Sequence, residues 1–280
     1  MHEYMHGYIK EVFQMPEKLL SLAILPAGWA CAWLAFVLGG RRAPRARRFR
    51  AALLQNWKPA LVLALLFYAG PLLGTLQPKY LLNLPQTVLI FCAASFGLAL
   101  AKPIEGFEPL RATAAVARRK KPVRELLLAL LFALLLVAAN ILIGSSGIFG
   151  LCLRVFHETN GSAAAAQAIP GANRALSFFT LLAGAGVAEE VVYRLFFLTL
   201  FLRLLKKPWA AVVLSSVCFG LYHITPLDSL YRIYWQFPVA QAVSAALSGL
   251  AFGIVYYKRG LESSVLGHTL TDWLGVLLIK

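Results

Sequence analysis

Apolar runs of about twenty residues recur along this chain, and charged residues fall almost entirely between them. A run of that length is what a helix needs to cross the hydrocarbon of a bilayer. Hydropathy and helix breakers place the runs near residues 19–39, 59–76, 82–101, 125–143, 175–202, 209–226, 238–257 and 261–279. Composition agrees, because 60% of the 280 residues are hydrophobic and only 14% are charged. Soluble domains carry about 45–50% apolar and about 25% charged residues, so a soluble globular fold is excluded. The expected fold class is all-α, a polytopic membrane protein of about eight helices, with no room for a separate soluble domain.

The net charge of +15 does not call for nucleic acid, since basic loops on one side of a membrane produce the same balance. The connections after runs one, three, five and seven hold Arg41 to Lys58, Lys102 to Arg124, Arg203 to Lys207, and Lys258 with Arg259. They carry 19 basic residues against 7 in the alternate connections and termini. By the positive-inside rule this alternation predicts both termini outside the cytoplasm. Arg41–Arg50 reads as a solvated basic loop, and Tyr231, Tyr234 and Trp235 as an interfacial aromatic belt. The histidines outside the apolar runs, His2, His6 and His157, are expected in solvent. Cys31, Cys92, Cys152 and Cys218 stand singly, neither a disulfide framework nor a zinc pattern. The first run follows a segment without a basic n-region and reads as a retained span rather than a signal peptide.

Four charged side chains break the pattern. Glu189, Glu190 and Arg194 interrupt run five, and Asp272 lies in run eight with His268; His223 lies near the end of run six. Each charge at mid-bilayer costs roughly 2.5–3.5 kcal/mol on insertion scales. Buried ion pairs seldom repay their desolvation, so the pattern points to an active site inside the membrane. At about 1.5 Å of rise per residue, Glu189 and His223 both fall roughly 20 Å from the basic side, and Asp272 near 16 Å. Glu190 and Arg194 stand four apart, as an intrahelical ion pair requires. Glu189, about 100° around the helix, is then free to take a proton from water. His223 is a second activator of that water. His268 and Asp272 are again four apart, so the carboxylate can fix the imidazole's tautomer while the ring supports an oxyanion. Gly184 and Gly186, just before the acidic pair, allow a close approach of another helix or of substrate.

Glu189-Glu190-Val191-Val192-Tyr193-Arg194, Phe219-Gly220-Leu221-Tyr222-His223 and His268-Thr269-Leu270-Thr271-Asp272 resemble, in order, the EExxxR, FxxxH and HxxxN/D motifs of the CAAX protease and bacteriocin-processing (CPBP) family of intramembrane endopeptidases. The resemblance covers about residues 175–280, set against residues 1–174, whose four runs carry no recognised signature. It implies an eight-helix core and hydrolysis by a glutamate-activated water. Glu189 and His223 would be the activators, His268 and Asp272 the oxyanion support, and Glu190 with Arg194 supporting residues. It also implies a substrate that is a membrane-anchored or lipidated polypeptide cut near its C-terminus. The expected partners are that substrate and the lipid bilayer, with no nucleic acid and no cofactor. The expected location is a multi-pass integral membrane protein, in the inner membrane if the source is bacterial. Two departures stand out: Leu195 follows the motif arginine where many members have glycine, and Asp272 replaces the frequent asparagine. An ionised carboxylate cannot donate to an oxyanion, so Asp272 is assigned to holding His268. A zinc-dependent protease remains open, since two Glu and two His could hold the metal, although no HExxH is present. So does a non-proteolytic immunity or chaperone-like protein of the same fold, or a transporter with a buried proton path.

Overall fold

The computed structural model describes residues 24–39, 44–171 and 173–279. The start of the first run, Arg41, Arg42, His2 and His6 lie outside the described residues. Among the described residues every regular element is helical, and helices overlie the expected runs in whole or in part. They are α1 (Leu25–Gly39), α2 (Trp57–Thr75), α3 (Leu84–Ala101), α4 (Pro122–Ser145), α5 (177–205), α6 (Pro208–Tyr222), α7 (Pro238–Arg259) and α8 (Leu261–Ile279). Trp57–Thr75, Leu84–Ala101, Pro122–Val155 and Pro238–Arg259 are long and apolar enough to cross a membrane by length and composition; α1 and α6 are apolar but shorter. Leucines at 126, 127, 130, 131, 134 and 135 project from α4 largely uncovered by protein. Such a face suits contact with lipid tails. The chain is an integral membrane protein.

Helix α5 is the axis of the bundle. Val187, Val191, Leu195 and Leu198 are buried on it against Ala93, Ala94 and Leu98 of α3 and Ala60 and Leu63 of α2. Its stretch Leu182–Leu198 is wound as a π-helix, a form that is rare and concentrated at functional sites. Gly97 lets α3 close onto α5, for a Cβ there would meet the Leu195 carbonyl oxygen. Gly186 plays the same part toward α8, where a Cβ would meet the Thr269 hydroxyl, while Gly184 faces open space.

The connections cluster at two ends. At the basic end Leu261 N–H donates to the Pro109 carbonyl at 2.7 Å, and Thr113 N–H to Glu262 at 2.8 Å. At the opposite end Glu158 accepts from the backbone N–H groups of Val239 and Ala240 at 2.7 and 2.9 Å, capping the start of α7.

Two expectations need correction. The basic segment is not a plain loop: Pro44–Gln55 is a helix whose Ala52 and Leu53 are buried, and Arg50 Nε donates to the Val37 carbonyl at 2.6 Å. Its apolar positions recur at helical spacing between the arginines, which a count of charge overlooks. Run six ends early, since α6 stops at Tyr222 and residues 223–230 are turns. Pro226 supplies no N–H and disfavours helix at Thr225 before it, so the helix cannot continue through them.

Candidate active site

Three helices and one connection build the polar cluster. From α5 come Glu189, Glu190 and Arg194; His223 caps the end of α6; α8 supplies Ser264, His268 and Asp272. The six candidate site residues, Glu189, Glu190, Arg194, His223, His268 and Asp272, are thus brought toward one place, although Glu190 and Asp272 stand there differently from the expectation.

Glu190 and Arg194 are both fully buried, with Arg194 Nε 3.4 Å from a Glu190 carboxylate oxygen. Among the described residues the guanidinium finds no hydrogen-bond partner. It lies instead over the Phe219 ring at 4.2 Å and near that of Phe252 at 5.5 Å, an arrangement in which ring quadrupoles face the cation. Glu190 also accepts from the Ser264 hydroxyl and lies 2.9 Å from His268 Nδ1. The tautomer-fixing contact assigned to Asp272 is therefore made by Glu190. Asp272 stands 3.8 Å from His268 Nε2, and so does Glu189. The one-turn spacing of His268 and Asp272 brings the two side chains near each other, but an acceptor on a packed neighbouring helix lies closer. The His268 ring stacks on Phe252 with centroids 4.2 Å apart.

His223 is buried, with Nδ1 3.1 Å from the Phe219 carbonyl. That carbonyl can only accept, so Nδ1 carries the hydrogen and Nε2 keeps its lone pair for another partner. The ring of Tyr234 stacks on it at 5.7 Å, so this member of the expected aromatic belt faces the site. Tyr222, at the end of α6, also meets the His223 ring, edge-on at 5.2 Å.

Sequence reasoning missed Asp228. It lies in the connection after α6, is buried, accepts from the Leu230 N–H at 2.7 Å, and places its other oxygen 4.0 Å from His223 Nδ1. Burial pushes its carboxyl from the ordinary 3.8 up to about 7, against the N–H donor that favours the charge. One ligand atom each from Glu189, His223 and Asp228 lie within 4.8 Å of one another. That donor set is of the kind a divalent cation takes, although a tetrahedral zinc at about 2.1 Å from each ligand needs them drawn closer. The only signal in the sequence was an acid placed two residues past a proline, at the end of an apolar run.

Comparison with family models gives a match over residues 171–274 to the family described as type II CAAX prenyl endopeptidase Rce1-like. The match takes in all three motifs, helices α5 to α7 and α8 as far as residue 274, and over this stretch the resemblance seen in the motifs holds. Comparison with curated proteins gives no match, and comparison with solved structures gives none.

Proposed function

We propose that this protein is an intramembrane endopeptidase that hydrolyses a peptide bond of a membrane-anchored or lipidated polypeptide near its C-terminus. The observation that carries the reading is the convergence of Glu189, His223, His268 and Asp272 from three helices, within the stretch that matches the endopeptidase family. Residues 175–280 form the catalytic part, with 1–174 as its scaffold.

Water held between Glu189 and His223 Nε2 gives a proton to the Glu189 carboxylate as its oxygen attacks the scissile carbonyl. The carbonyl π electrons move onto oxygen, forming a tetrahedral oxyanion. His268, doubly protonated, donates from Nε2 to that oxyanion while Nδ1–H stays on Glu190. On collapse the C–N bond breaks, and the proton on Glu189 passes to the departing amine. Asp272 holds the Nε2 side of His268 through charge, and Arg194 balances Glu190. Both thereby keep the donor aimed.

Glu189→Gln and His223→Ala should each lower cleavage of a membrane-anchored peptide in reconstituted vesicles by about a hundredfold or more, with insertion intact. Near-normal turnover by either variant would sink the assignment. A second reading is favoured by the Glu189–His223–Asp228 grouping, in which the same water is activated by a divalent cation. Dependence of turnover on added zinc separates the two.

A further inference from the structure

The polar cluster is not equidistant from the two ends of the bundle. Helix α6 runs from the basic end, where Lys206 and Lys207 precede it, and delivers His223 at its far terminus, followed by Asp228. Trp273, next to Asp272, donates from Nε1 to the Arg174 carbonyl in the connection before α5, which again belongs to the far end. Toward the basic end the cluster is sealed. Arg194, Leu195 and Leu198 are each 0% exposed, Phe219 and Phe252 1%, and Thr199 with Tyr256 closes a buried hydrogen bond of 2.8 Å behind them. Away from that seal the packing loosens: the Asp272 side chain is 36% exposed and that of Glu189 17%. Water and a peptide therefore reach Glu189 from the end that carries His223 and Asp228.

The two ends differ in charge as well. The dense basic runs, Arg118–Lys121 and Lys206–Lys207 among them, all lie at the sealed end. The open end has only Lys79, Arg154, Arg174 and Arg232 among the described residues. Short connections rich in Lys and Arg stay in the cytoplasm.

From these two observations we propose that the active site opens on the extracytoplasmic face, and that its substrate is a membrane-anchored polypeptide whose scissile segment lies outside the cytoplasm. This rests on the endopeptidase reading for what happens in the site, but not for the side on which it opens. The reaction that supplies the substrate is then export of the polypeptide across the membrane, with retention of an anchor. A lipidated tail left in the cytoplasm would meet the sealed end.

The test is thiol labelling in intact cells, in a parent carrying Cys31→Ala and Cys218→Ala, with Cys92 and Cys152 left buried. Single cysteines are placed by Ser229→Cys at the open end, Lys207→Cys at the sealed end and Asp272→Cys in the cluster. The probe is a charged, membrane-impermeant methanethiosulfonate. Ser229→Cys and Asp272→Cys should react before lysis at roughly tenfold the level of the parent, and Lys207→Cys only after permeabilisation. Reaction of Lys207→Cys from outside with Ser229→Cys protected would overturn the orientation. Reaction of Ser229→Cys alone, with Asp272→Cys silent from outside, would overturn the route into the site. Labelling needs no turnover, so active Glu189→Gln protein would refute the chemistry while leaving this result standing.

Discussion

Consider the removal of one member of the Glu190–Arg194 pair. Glu190→Gln keeps an oxygen acceptor for Ser264 but deletes the charge opposite a guanidinium that is wholly buried and has no hydrogen-bond partner among the described residues. Breaking a buried pair in this way costs about 3–5 kcal/mol, because the remaining charge keeps its desolvation penalty. Two aromatic faces retain part of the cation's stabilisation, which argues for the lower end, about 3 kcal/mol. For a chain of this size about 3 kcal/mol corresponds to a fall in Tm of roughly 6–12 °C. Arg194→Met should cost a similar amount by stranding the carboxylate. In Glu190→Gln/Arg194→Met neither charge is left alone, so the loss should fall short of the sum of the singles by about 2 kcal/mol. Melts in detergent followed by fluorescence of the 6 tryptophans provide the measurement. Single variants within about 0.5 kcal/mol of wild type, or additive losses in the double, would refute the view that the pair is a mutually required unit.

Asp272→Asn, in which the side chain stays but its charge goes, should retain partial turnover because Glu190 still holds His268 Nδ1; Asp272→Leu should lose several-fold more in the same vesicle assay. Asp228 adds a pH signature. Below about pH 4 it is protonated in both states, and from there to about 7 the unfolded chain gives up its proton first, so stability falls as pH rises through that window. Asp228→Asn keeps the acceptor for Leu230 N–H and should flatten that fall. Melts of equal pH slope in wild type and variant would contradict it. Finally, turnover should survive exhaustive chelation, and purified protein should lack stoichiometric zinc by elemental analysis. Loss on chelation with recovery on adding zinc would favour the cation reading at Glu189, His223 and Asp228.

Much of this architecture was legible because the bilayer makes helices long, apolar and discrete. The runs 59–76, 82–101 and 238–257 lie within two residues of helices at both ends. What hydropathy could not report is where helical hydrogen bonding stops inside an apolar run. Ile224 and Leu227 are as apolar as the residues before them, yet Pro226 ends α6 and leaves His223, expected inside the run near its end, just past the helix. Spacing of i to i+4 found the Glu190–Arg194 pair and brought Asp272 near His268. It could not rank Asp272 against Glu190, because that choice depends on how α5 packs on α8. Asp228 was missed for the same reason, its neighbours Glu189 and His223 being identifiable only once α5 and α6 are side by side.

Glu158 has a consequence for how peptide is admitted. Its two carboxylate oxygens take both N–H groups at the start of α7, while Thr159 N–H donates to the Gln236 carbonyl at 3.0 Å. The long connection between α4 and α5 is thereby fastened to the segment that carries Asp228 and Tyr234. These contacts tie the two segments to each other at the rim of the cluster. Weakening that single carboxylate, far from the reacting atoms, should loosen this rim of the open end without touching the chemistry.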